Sequence, residues 1–121
     1  VINGTDDPLV PYGGGPVART RGETISTDRI VAAWVAANRC TGDPEVVDLA
    51  DTDPSDGTRV TKTAYTACAQ RSVVVLYTID GGGHTWPGGR QYLPRGIVGR
   101  VSQDINATEV IWQFFAAHPR P

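Results

Sequence analysis

The 121-residue sequence predicts an α/β fold, and three observations carry the prediction. Residues 72–79, "SVVVLYTI", contain an unbroken apolar run rich in β-branched residues, the pattern of a strand buried on both faces. Two other stretches, from Ser26 to Cys40 and from Asn106 to His118, space their apolar residues three and four apart, as one face of a helix does. The order of strand end, helix, strands and helix is that of layered α/β domains, and a chain of this length holds one modest core, with roughly two-thirds of its surface buried on folding.

Each element follows in chain order. "VINGTDDP" is an apolar pair running into a Gly/Asp turn, which reads as the last residues of a strand. "LVPYGGGPVARTRGE" has no period and is rich in proline and glycine, so an ordered surface loop is expected. Ser26 or Thr27 can cap the helix that follows, in which Ile30, Val31, Trp34, Val35 and Ala37 recur on one face up to Cys40. "TGDP" stops it, "EVVDLA" is a short strand, and "DTDPSDG" is a polar turn. "TRVTKTAYTAC" alternates like a half-exposed strand and is expected to pair with "SVVVLYTI" as a hairpin across "AQR". "RQYLPRGIVGRVSQDI" predicts no regular element. In the last helix Asn106 and Glu109 form a capping-box-like pair, and Val110, Ile111, Phe114 and Phe115 share a face that needs a sheet beneath it, up to Pro119.

Composition excludes several classes of function. With 40% hydrophobic residues, 20% charged residues and a net charge of -2, there is no basic excess to follow a phosphate backbone, so nucleic acid is not an expected partner. No apolar run approaches the roughly 18 to 20 residues that cross a bilayer and no signal peptide opens the chain, so no membrane partner is expected either. The chain lacks methionine and opens on Val1, which suggests a piece of a longer protein. Cys40 and Cys68 are too far apart for a CxxC pair and too few for a structural zinc site. They read as a disulfide in an oxidising compartment, contributing about 3 to 4 kcal/mol, with two separately buried thiols as the alternative.

The stretch "DGGGHTWPGG" carries the chemistry. It places His84 just beyond a strand's carboxyl end, where open α/β sheets bind ligands. Asp6 and Asp7 sit just past the other apparent strand end. An aspartate that accepts a hydrogen bond from one imidazole nitrogen sets the tautomer and stabilises the imidazolium, while the other nitrogen takes a proton from a nucleophile. Glycines before the histidine allow a tight turn and leave room for a substrate.

"NGTDDPLVPYGGG", "AANRC", "YTAC", "VVLYTIDGGGHTWPGG" and "DINATEVIWQFF" together resemble the carboxyl-terminal half of the polyhydroxybutyrate depolymerase and feruloyl esterase-like α/β-hydrolases, over nearly the whole chain. The most specific parts are GGGHTWPG and the GxxDxxVPY pattern of Gly4, Asp7, Val10, Pro11 and Tyr12; the family usually has histidine at the position of Asn3. The resemblance implies an α/β-hydrolase carboxyl-terminal portion, residues 1–121, comprising the last strands of a mostly parallel sheet with flanking helices and incomplete by itself. It also implies Asp7 as triad acid, His84 as general base, Trp86 at the site mouth against an acyl or aromatic group, and a Cys40–Cys68 disulfide in a secreted enzyme.

The triad order is serine, aspartate, histidine, yet none of Ser26, Ser55, Ser72 and Ser102 lies in a GxSxG elbow. The nucleophile and oxyanion hole are therefore expected on a complementary amino-terminal segment, and this chain alone is expected to be inactive. Without that segment's strands, "SVVVLYTI" is expected to present an open apolar edge. The expected activity is carboxylic ester hydrolysis without cofactor or metal, on a polyester, a feruloylated or acetylated polysaccharide, or a short-chain ester. The alternative is a non-catalytic, disulfide-stapled module that binds a polysaccharide or polyester surface through Trp34, Trp86, Trp112 and nearby tyrosines. The helical positions of Trp34 and Trp112 argue for core packing instead. His118 is expected to serve the helix dipole, Asp51, Asp53 and Asp56 a solvated turn, and the sequons at Asn3 and Asn106 are chance matches.

Overall fold

A computed structural model of the chain describes residues 1–119. Its elements are β1 (Ile2–Gly4), β2 (Gly15–Pro16), β3 (Glu23–Thr24), α1 (Thr27–Ala37), β4 (Glu45–Asp48), β5 (Arg59–Tyr65), β6 (Val74–Asp80), α2 (Arg95–Val98) and α3 (Ala107–Ala117). Four strands form one sheet in the order β1-β6-β5-β4, and β2 and β3 form a separate two-stranded ribbon inside the segment expected to be loop.

The sheet corrects the expected fold class. Only β1 and β6 run parallel, whereas β4, β5 and β6 form an antiparallel meander. The molecule is a small, mostly β, mixed-sheet structure with few helices, and not the carboxyl-terminal half of an α/β-hydrolase with its parallel sheet. Connection length explains the difference. Residues 49–58 and 66–73 are too few to carry a crossover helix, and parallel neighbours need a connection of a dozen residues or more. A buried apolar strand such as β6 has the same composition in either direction, so its sequence could not discriminate.

The local elements follow their signals. The hairpin pairs Arg59 with Asp80 through Tyr65 with Val74, as the two runs predict. Ser26 caps α1 by accepting from the Arg29 N–H, and Asn106 caps α3 by accepting from the Glu109 N–H. Helix α1 ends at Ala37, before Cys40, where Arg39 takes a positive φ of 51°. Val31 of α1 packs on Val74 and Leu76 of β6, with Val35, Cys40 and Tyr65 around them. Val60, Ala64 and Ile79 occupy the alternate strand positions and are buried as well.

The disulfide joins Cys40, just after α1, to Cys68, just after β5. It fastens the helix to the hairpin at the edge of the Val31 cluster, as both the residue count and the family resemblance implied. No helix among the described residues is long and apolar enough to cross a membrane.

Two expectations about exposure are overturned. Strand β6 is paired on both sides, so the sheet's open edges belong to β1 and β4. Trp34 and Trp112, expected in the core, are 55% and 73% exposed, and Phe115 of the supposedly buried helical face is 63% exposed. Helix α3 has the predicted periodicity, but Ala107 is its only fully buried residue. Periodicity shows which residues share a face; whether anything covers that face is a tertiary question.

Candidate active site

Strand β1 and strand β6 end side by side because they are parallel neighbours, with Gly4 opposite Ile79. The turns that follow them therefore start from the same end of the sheet. The Asp6 N–H donates to the Gly82 carbonyl, and a β-carbon on Gly4 would collide with the backbone of Gly82 and Gly83. At Gly83 the backbone of Val98 and Gly99 leaves no room for a β-carbon either. The glycine stretch is thus a point of backbone contact on two sides, where a side chain would strike neighbouring backbone.

This packing brings together residues 77 positions apart: His84 Nδ1 lies 2.9 Å from Asp7 Oδ2. The other oxygen of the Asp7 carboxylate, Oδ1, accepts the N–H groups of Leu9 and Val10, each at 2.8 Å. That local turn fixes the carboxylate and leaves Oδ2 for the imidazole. The Asp7 side chain is 11% exposed and that of His84 45% exposed, so the acid is shielded while the ring reaches solvent. Asp6, by contrast, is exposed and receives a long hydrogen bond from Thr5, as expected of a turn residue.

The backbone of His84 is held as firmly as its ring. Its N–H donates to the Val98 carbonyl at 2.6 Å, and its carbonyl accepts the Tyr92 hydroxyl at 2.8 Å. With Nδ1 committed to Asp7, Nε2 makes no hydrogen bond among the described residues. The ring borders a cavity of about 660 Å³ whose walls include Ile2, Asn3, Val10, Ile79, Trp86 and Tyr92. Apart from Asp7 and His84 no ionisable acid or base lines it except the chain's amino end and the Tyr92 phenol. Such a pair can accept a proton at Nε2 and stabilise the resulting imidazolium through Asp7.

Trp86 lies on the wall of the same cavity and is 53% exposed. Its indole N–H donates to Thr108 Oγ1 at 3.0 Å, and the Ala107 N–H donates to the Pro87 carbonyl. The start of α3 thereby orients the indole. Tyr92 and Thr108 are the functional candidates that sequence reasoning missed. Tyr92 sits in a segment with no periodic signal, and Thr108 in a helix read for its apolar face.

No serine is hydrogen-bonded to His84 among the described residues. Ser26 caps α1, Ser55 bonds to Asp53, Ser72 bonds to the Ala69 carbonyl, and Ser102 is buried against Thr58. No group of three or more potential metal-ligating side chains occurs among the described residues. Searches of family models, curated proteins and solved structures found no match to this chain.

A buried polar knot supports the loop under His84. Asp56 accepts from the Thr58 N–H and hydroxyl and from the Gln103 N–H, and the Thr58 hydroxyl also contacts Ser102. Burial alone would raise the Asp56 carboxyl, but these three hydrogen bonds and the nearby Arg59 charge outweigh it and hold the group below its ordinary value. The knot ties the start of β5 to residues 102–103, just beyond the segment whose Val98 and Arg100 carbonyls bond to His84 and Gly83.

Proposed function

We propose that the chain contributes the acid and base of a carboxylic ester hydrolase related to polyhydroxybutyrate depolymerases and feruloyl esterases. The observation that carries the proposal is the 2.9 Å pairing of His84 Nδ1 with Asp7 Oδ2, beside an apolar cavity. His84 Nε2 takes the proton of a serine hydroxyl as the oxygen attacks the ester carbonyl, then returns it to the departing alcohol. In the second half, Nε2 takes a proton from water, which attacks the acyl-serine and releases the acid. Asp7 holds the ring and balances the imidazolium throughout. The reaction consumes only ester and water, and no cofactor enters the scheme.

The serine and oxyanion donors belong to a complementary segment of the same protein. Two features support a docking place for it: β1 is hydrogen-bonded on one side only, and Val1, Ile2, Trp34, Val110, Ile111 and Phe114 border a second apolar cavity of about 550 Å³ alongside that strand. The disulfide supports an extracellular setting. Acyl and alcohol groups without charge suit the walls of the His84 cavity, and polyester, feruloylated or acetylated polysaccharide and short-chain esters all belong to that class.

The test is hydrolysis of a chromogenic short-chain ester by the complete protein. His84→Ala is expected to lower kcat by about a million-fold and Asp7→Asn by about ten-thousand-fold, by analogy with other Ser-His-Asp triads. Unchanged rates in either variant refute the assignment. The exposure of Trp34 and Trp112 favours a second reading, a non-catalytic module that holds a polymer surface. Retention on insoluble polyester or xylan that depends on these tryptophans, without any ester hydrolysis, would establish it in place of the first.

A further inference from the structure

A third cleft, of about 310 Å³, opens beside the acid turn and is lined by Asp6, Pro8, Gly81, Arg95, Gly99 and Arg100. Its lining differs from that of the His84 cavity, with two arginines and one aspartate. The ion pairs among the described residues are Arg59 with Asp51 and His84 with Asp7, so Arg95 and Arg100 are both without an acidic partner. Neither guanidinium makes a hydrogen bond to the described residues. What sets these two apart is that both line one cleft.

Both arginines stand on fixed backbone. The Arg100 carbonyl accepts the Gly83 N–H and the Thr85 hydroxyl, and the Arg95 carbonyl accepts the Gly99 N–H that closes α2. The Arg100 guanidinium lies along two glycines: a β-carbon on Gly57 would sit 3.5 Å from its Nε, and one on Gly81 would sit 3.6 Å from its Nη1. The side chain rests against this turn backbone, with its donors uncommitted. A planar guanidinium presents paired N–H groups that match the spacing of two oxygens on one ligand group.

We propose that this cleft binds an oxyanion group, a carboxylate or a phosphate, between the guanidinium groups of Arg95 and Arg100. Asp6 opposes the ligand charge and holds the affinity down, so its removal should strengthen binding. The occupant would sit against Asp6, the neighbour of Asp7, and against Arg100, whose carbonyl braces the residues on both sides of His84. The inference is independent of the esterase reading, because binding is measured without turnover.

The experiment titrates the 121-residue chain at low ionic strength with inorganic phosphate and, in a separate arm, with benzoate, followed by calorimetry and backbone amide resonances. Saturable binding is expected, with shifts centred on Gly81, Gly99 and Arg100, and the tighter arm identifies the ligand chemistry. The double variant Arg95→Gln, Arg100→Gln should weaken binding by roughly tenfold or more, the loss expected for charge-assisted hydrogen bonds. Asp6→Asn should tighten it by a few-fold. Arg95→Gln alone, at an exposed position with no side-chain bond to lose, keeps the test open if the double variant fails to fold. Shifts that grow linearly without saturation in both arms, binding unchanged by the arginine substitutions, or weaker binding in Asp6→Asn would each overturn the proposal.

Discussion

The turn that carries His84 and the helical face that carries Phe115 are neighbours, since the cavities beside them share Val1, Ile2 and Ile111, yet they are held by opposite means. Around His84 nearly every polar group near the ring is committed: Asp7 to its own turn and to the imidazole, the His84 backbone to Val98 and Tyr92, and the glycines to the strands on either side. Across the shared wall, Trp34 and Phe115 lie exposed on helices with well-formed caps. The first region is over-determined by short-range contacts. The second has local order without burial, and burial supplies most of a helix's stability in a folded protein. A firmly held turn thus stands beside an uncovered apolar surface.

Four changes would sharpen or break that contrast, beginning with the largest effect. Replacing Cys40 and Cys68 together by serine opens a loop spanning 28 positions and should cost roughly 3 to 4 kcal/mol in a urea titration, because the cross-link restrains the unfolded chain. A loss much below 1 kcal/mol would mean that α1 is fastened to the hairpin by the Val31 cluster alone. Gly83→Ala drives a methyl group into the Val98–Gly99 backbone and should cost about 3 kcal/mol, with displacement of the His84 ring visible in its NMR resonances. Were that variant as stable as the parent, the tight packing of the turn would be disproved.

Asp56→Asn should cost about 1 to 3 kcal/mol at neutral pH, since three donors lose a charged acceptor. The pH dependence has a definite sign. A carboxyl whose folded pKa lies below its unfolded value contributes stability in full above the unfolded value, here 3.8, and loses it as the pH falls through the folded value. Part of the acid sensitivity below about pH 4 should therefore vanish in Asp56→Asn, which parallel denaturation curves across that range would reveal. The smallest effect belongs to Phe115→Ser, expected to change the stability of the isolated chain by no more than about 0.5 kcal/mol and, under the proposed function, to weaken capture of a serine-bearing segment. A cost of several kcal/mol would show that α3 is already buried in solution.

These comparisons also show why the sequence was legible only in places. Caps and alternation are local, so Ser26, Asn106 and the β5–β6 hairpin could be placed within a few residues. Trp34 and Trp112 were misplaced because an apolar neighbour in sequence does not guarantee an apolar neighbour in space. The pairing of Asp7 with His84 was anticipated through a family resemblance and two apparent strand ends, not through any local pattern. Tyr92 had no pattern at all, since its hydroxyl serves a carbonyl reached only when the loop folds back.

What the residues determined by themselves was each segment's intrinsic preference: capped helices, a β-branched strand, a turn at Asp7 and glycine where no side chain fits. Tertiary structure alone decided that three of the four strands form an antiparallel meander, that β1 and β4 and not β6 are the open edges, and that a carboxylate and an imidazole 77 positions apart lie 2.9 Å from each other. The reason is physical: hydrogen bonds within a few residues depend on local dihedrals, whereas strand direction and exposure depend on which distant surfaces the connecting chain is long enough to bring together.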